Sequence, residues 1–142
     1  MRSAICISGL ARTYRRTHKS FMRNVVEPLK ERGEVDIFIS IWDTTDLAAL
    51  SPRAAQEDKV DVNEIIRLYQ PVSIDVESFI SLRNSFHLDR LSPGGSYTRS
   101  VVKDGILTAA PAQYKVLRAN DLKCISEQMG KFTYDLVVRT RF

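Results

Sequence analysis

Apolar residues arrive along this chain in two rhythms, short unbroken runs and recurrences every three or four residues. Ser3-Ala4-Ile5-Cys6-Ile7 is such a run and predicts a first buried strand. From about Arg15 to Arg32 the rhythm changes. Phe21, Val25 and Leu29 recur every four residues, Met22 and Val26 widen the stripe, and a helix is expected to stop at Gly33. Pro28 falls inside that pattern and should kink the helix or end it early. Val35 to Trp42 is rich in β-branched and aromatic residues and predicts a second strand.

Residues 47–60 show no period and read as a loop. Asp61-Val62-Asn63-Glu64 has the form of a capping box, opening a short helix through Tyr69 that Pro71 closes. Val72 to Val76 alternates as a third strand would, and Phe79, Leu82 and Phe86 predict a helical turn or two within 77–90. Ser92-Pro93-Gly94-Gly95-Ser96 leads into a long connection with Tyr97, Arg99, Lys103 and Gly105, either a surface loop or a lid. Pro111 suits the first turn of a helix running to about Met129, with Tyr114, Leu117, Asp121, Ile125 and Met129 roughly in line and Gly130 at its end. Asp121 in that line moves the stripe toward Leu122 and Cys124. Leu136-Val137-Val138 then has the uninterrupted apolar character of a strand buried on both faces, ending in Arg139-Thr140-Arg141-Phe142.

Strand, helix, strand, helix, strand, long loop, helix, strand is the order of a parallel sheet with crossover helices. The expected fold is therefore α/β: a Rossmann-like three-layer sandwich in one domain, residues 1–142, with about four mostly parallel strands and helices on both faces.

With 142 residues there is room for one core, and the net charge of +4 leaves a modest basic excess. Such a balance suits an anionic small ligand, a nucleic acid or a membrane surface, or is simply a solvated surface. Two cysteines, Cys6 and Cys124, lie at apolar positions and argue against a disulfide scaffold. With only His18 and His87 besides, no zinc spacing can be assembled. No run reaches transmembrane length, and Ser8, Gly9 and the arginines after Leu10 do not fit a signal peptide, so a cytoplasmic protein is expected.

Ligands of open α/β sheets bind past the carboxyl ends of the strands. Three loops should share that rim: Ser8 to Thr13, Trp42 to Asp46, and Arg139 onward. Gly9 permits a sharp turn or close approach, and Ser8 and Thr13 bring hydroxyls. Arg12, Arg139 and Arg141 are candidate phosphate partners, because a guanidinium donates two parallel hydrogen bonds. Their alternative is solvent exposure at a helix opening or a strand end. Asp43 can accept from a base or ribose, or simply cap a turn. Trp42 or Tyr14 can stack on a ring. Ser8 to Arg12 is neither a dinucleotide fingerprint nor a Walker loop, and there is no Gly-x-Ser-x-Gly elbow. Tyr14-Arg15-Arg16 with Lys19 is a basic cluster with an aromatic. On a helix opening it reads as a solvated face before a nucleic-acid site.

Three segments together carry a resemblance: Cys6-Ile7-Ser8-Gly9-x-x-Arg12, Phe38-Ile39-Ser40-Ile41-Trp42-Asp43, and Tyr134-Asp135-Leu136-Val137-Val138-Arg139-Thr140-Arg141. In this order and spacing the chain resembles the N-terminal half of a family of glycosyltransferases of bacteria and large viruses. The similarity covers nearly the whole chain, loosely between 47 and 110. It implies a glycosyltransferase-A-like fold, a nucleotide-diphosphate sugar as donor, a glycan or other acceptor, and a role in polysaccharide biosynthesis. Ser8 to Thr13 would face the nucleotide, with Arg12 near the diphosphate, and Asp43 would hold the uracil or ribose. The helix bearing Lys115, Arg118 and Asn120 would border the nucleotide. Arg139 to Phe142 would lead into the Asp-x-Asp-like segment of such enzymes. Arg141 stands where its first Asp is expected, so Mn2+ or Mg2+ would take most ligands from beyond Phe142, together with the acceptor half and the catalytic base. The reading from another class is a non-enzymatic basic module for nucleic acid or another anionic partner.

Overall fold

A computed structural model describes residues 1–45, 59–82, 102–103, 106–107 and 109–142. Strand β1 (Arg2–Gly9) occupies the interior of a sheet because its residues alternate between two apolar layers. Ile5 and Ile7 enter one core; Ala4 and Cys6 enter another on the opposite face. It is followed by α1 (Tyr14–Phe21), a π turn (Met22–Val26), α2 (Glu27–Lys30) and β2 (Glu34–Trp42). Then come α3 (Val62–Tyr69), β3 (Ser73–Glu77), α4 (Phe79–Leu82), the pair β4 (Val102–Lys103) and β5 (Ile106–Leu107), α5 (Ala109–Gly130) and β6 (Leu136–Arg141).

The main sheet has the order β3-β2-β1-β6, and every pair in it is parallel. One face packs Ile5, Ile7, Ile37, Ile39 and Ile41 against Tyr14 and Val26 of the first helical segment and Ile65 and Tyr69 of α3. The other packs Ala4, Cys6 and Phe38 against Ala119 of α5 and Tyr134. The protein has the expected Rossmann-like α/β architecture, with helices on both faces.

Pro28 does not end the helical run, which continues to Lys30 after an interruption by a π turn. Lacking an N–H, it cannot donate to Asn24, four residues before it. The turn just upstream widens instead, with the Glu27 amide bonding Met22 five residues back, and Pro28 enters the first turn of α2. The Asp61 cap forms as the spacing predicts, its Oδ1 accepting the Glu64 amide at 3.0 Å. The helix closes one residue before Pro71, on Gln70 in the left-handed region at φ 45°. The expected loop around Lys103 and Gly105 instead contains an antiparallel pair, Val102 opposite Leu107 and Lys103 opposite Ile106. Asp104-Gly105 between them is a dipeptide favoured in tight hairpins, a signal the apolar pattern does not register. The predicted loop within 47–58, Phe86 and the 92–99 lid candidate lie outside the described residues.

Two expectations are corrected. The inward line of α5 is Pro111, Lys115, Ala119 and Lys123, all buried. Leu117, Ile125 and Met129 face outward, Met129 with 82% of its surface exposed. A helix is placed by what its sheet offers, and here the facing strands carry acids. β6, in turn, is not fully buried on both faces; among the described residues it pairs only with β1. Val137 and Val138 are half-buried on opposite faces, while Leu136 is exposed.

Candidate functional site

β1 to β3 progress one way across the sheet, and the chain then returns to place β6 on the other side of β1. The switch in direction lies between β1 and β6, the position where open α/β sheets form a crevice at their carboxyl ends. Gly9 and Arg141 stand there, with Ser8 directly opposite Arg141 in the register. Gly9 holds φ at +106°, a conformation L side chains rarely adopt. A Cβ on it would meet nothing within 4 Å, so the backbone borders open space.

The opening is a pocket of about 200 Å³ lined by Gly9, Leu10, Arg12, Trp42, Ala112, Arg141 and Phe142. Arg12 is exposed, and its Nε donates to the Thr45 carbonyl at 2.9 Å, tying the first rim loop to the second. Behind it α1 begins at Thr13, whose side chain makes no capping bond and whose carbonyl accepts from Thr17 Oγ1 at 3.0 Å. No acid occupies the first turn. An acid from α3, Glu64, instead meets the Tyr14 and Arg15 side chains of that turn.

Asp43 lies at the end of β2, and its Oδ1 accepts the Phe79 amide at 3.2 Å, tethering the start of α4. Its backbone joins β3 and Val60 through bonds to the Glu77 carbonyl and from the Val60 amide. Arg139 stands apart from the rim, opposite Cys6, two residues and roughly 7 Å down the strand from Arg141. There it donates to Asn120 Oδ1 at 3.2 Å, while the Asn120 amide reaches Cys124 Sγ at 3.5 Å. Thus Ser8, Gly9, Arg12, Thr13, Asp43 and Arg141 gather at the carboxyl rim, whereas Arg139 and Asn120 form a flank below it.

Lys115 belongs to neither group. It is fully buried, with its ammonium 2.6 Å from Glu77 Oε2 and 3.1 Å from Asp75 Oδ2. Arg118 reaches Asp75 at 3.4 Å, Ser40 donates to Asp75 Oδ2 at 2.8 Å, and Tyr114 donates to Glu77 Oε1 at 2.8 Å. Burial pushes the Asp75 carboxyl up, but the Ser40 hydroxyl and the Lys115 charge outweigh it and hold the group below its ordinary value. Asp75, Glu77, Ser40 and Tyr114 were not singled out from the sequence. The signal was present in Ser73-Ile74-Asp75-Val76-Glu77, where two acids two residues apart must share one face of a strand.

The expected ring-stacking residues are core residues. Trp42 is 1% exposed, stacked on Tyr114 at 5.8 Å, edge-on to Phe79 at 5.3 Å, and 4.5 Å from the Lys115 ammonium. Tyr14 is buried and donates to Glu64 Oε2 at 2.6 Å, which Arg15 also meets at 2.5 Å. Burial and the bond to Glu64 push the Tyr14 hydroxyl up to about 12. His18 bonds the Leu68 carbonyl at 2.8 Å and packs on Tyr69. Cys6 is buried and Cys124 half-buried, both as free thiols.

Among the described residues, no three His, Cys, Asp or Glu side chains come together as a metal site, and no helix is long and apolar enough to cross a membrane. No protein-family model, curated protein or solved structure matches the chain.

Proposed function

We propose that the chain is the nucleotide-sugar-binding portion of a glycosyltransferase, with its donor at the crevice between β1 and β6. One observation carries the reading: a glycine turn and two arginines line one crevice at the switch point of a parallel sheet, and Arg12 also lines the adjoining pocket at the start of α1. A sugar nucleotide presents two phosphates, and breaking its glycosyl bond leaves a diphosphate whose charge must be stabilised. Arg12 and Arg141 supply fixed positive charge, and Gly9 lets the backbone approach. The sequence resemblance supports the same class, with a glycan or other acceptor.

Trp42 and Tyr14 do not hold the base in this reading, since both are enclosed by protein. Arg139 and Asn120 contribute from the flank at most, and Lys115 supports the wall through Trp42. Among the described rim residues Asp43 alone carries a carboxylate, so these side chains by themselves do not make a site for Mn2+ or Mg2+. No step is assigned to a metal. The nucleic-acid reading has weaker support, because Tyr14 is buried and Arg15 is paired with Glu64.

Calorimetric titration of the folded chain with nucleoside diphosphates and their sugars tests the proposal. Saturable binding of a diphosphate, weakened in Arg12→Ala and Arg141→Ala, is the expected result. Absence of binding at millimolar ligand, with the sheet intact by circular dichroism, would reject it.

A further inference from the structure

The outer edge of β6 adjoins the donor crevice, and Arg141 and Phe142 border both. Among the described residues the strand has a neighbour on one side only, so its other side presents backbone N–H and C=O groups in ladder geometry. Beside that edge, on the α1 face, lies a cleft of about 310 Å³. Phe21, Val25, Tyr69 and Phe142 make its apolar lining, and Asn24 and Thr140 add polar groups. Phe21 and Asn24 lie at the π turn, which has opened the helix at this point. Arg141, exposed at the strand end, also borders this cleft, and Arg139 is exposed on the opposite face of the strand.

These features are complementary to one kind of occupant. We infer that β6 accepts an extended peptide segment of a partner protein as a fifth strand, with an apolar side chain in the cleft and acidic side chains on either side of it in sequence. The alternation follows from strand geometry, since neighbouring side chains point to opposite faces. In such strand addition the ladder supplies affinity and the pockets supply specificity. Pairing of β6 with a second copy of itself would bring four arginines onto one edge, an arrangement that like charges oppose.

The test is fluorescence anisotropy with a labelled nine-residue peptide that alternates glutamate with valine and carries a central phenylalanine. The full chain should bind it saturably. N-methylation of alternate peptide amides should weaken binding on the order of tenfold in one of the two alternate sets and leave the other unchanged, since only one set faces the ladder. Replacing the glutamates by lysines should weaken binding, and Arg139→Glu should reverse that preference. Replacing the central phenylalanine by alanine should weaken it as well. No binding at millimolar chain, equal tolerance of both N-methylated sets, or a dimer in sedimentation that Arg139→Glu strengthens would each overturn the proposal. Binding of nucleoside diphosphate is read separately, so either proposal can fail alone.

Discussion

The ammonium of Lys115 lies 2.6 Å from Glu77 Oε2, joining α5 to β3 inside the protein. Lys115 has no exposed surface, and Glu77 keeps 23% of its side chain exposed. A lysine can be held there only because two carboxylates and the Trp42 face surround its charge. The contact therefore sets the height of α5 over the sheet, and with it the wall of the crevice that Ala112 and Trp42 form.

Lys115→Met should destabilise the fold by about 2 kcal/mol, because Asp75 and Glu77 lose their buried cation and keep only Arg118 and the Ser40 and Tyr114 hydroxyls. Urea unfolding measures this. Adding Asp75→Asn and Glu77→Gln to Lys115→Met should recover part of the loss, since Lys115 and both carboxylates are then replaced by neutral groups of similar volume and Arg118 keeps Asp121. Asp75 also makes stability depend on acid. Its native carboxyl titrates below its ordinary value, so its contribution is complete above the ordinary aspartate range and is lost as pH falls through the native value. Thermal melts at stepped acidic pH should show this decline, and Lys115→Met should flatten it.

Two tyrosines should set the alkaline limit. Burial and a bond to Glu64 raise Tyr14 to about 12, and burial and a bond to Asp36 do the same for Tyr134. Unfolded tyrosine ionises near 10, so their contribution is intact below that value and disappears as pH rises toward 12. Ultraviolet absorbance should show these two hydroxyls ionising together with unfolding, and Tyr14→Phe should remove part of the pH dependence.

Gly9→Ala separates backbone strain from steric clash. The space above Gly9 is open, so a methyl group meets nothing, but φ of +106° should cost about 1–2 kcal/mol. Lower thermal stability with the strand order preserved is the expected outcome. Diphosphate affinity should fall with it, because the turn presents the backbone to the ligand.

Asp43 holds the Phe79 amide, so its two candidate roles require separate substitutions. Asp43→Ala should cost about 1 kcal/mol through the lost cap. Asp43→Asn can still accept that hydrogen bond and should melt near the parent temperature. If Asp43→Asn also keeps the parent's diphosphate affinity in calorimetry, the carboxylate charge plays no part in binding and Asp43 acts only as a cap.

The order of strands and helices was legible in the sequence, because periods of two and of three to four residues report directly which faces are buried. The rim was legible for a related reason: strand ends place Gly9, Asp43 and Arg141 by topology alone. Periodicity failed at α5, where Leu117, Ile125 and Met129 form a plausible inward line yet Lys115 and Lys123 are the buried members. A hydrophobic pattern cannot register that Asp75 and Glu77 lie beneath α5 to neutralise Lys115. It also cannot separate an edge strand from a central one, since Val137 and Val138 look apolar in either place. Local sequence thus decided which segments became strands and helices. Which charges could be buried depended on partners dozens of residues away that only folding brings within hydrogen-bonding distance.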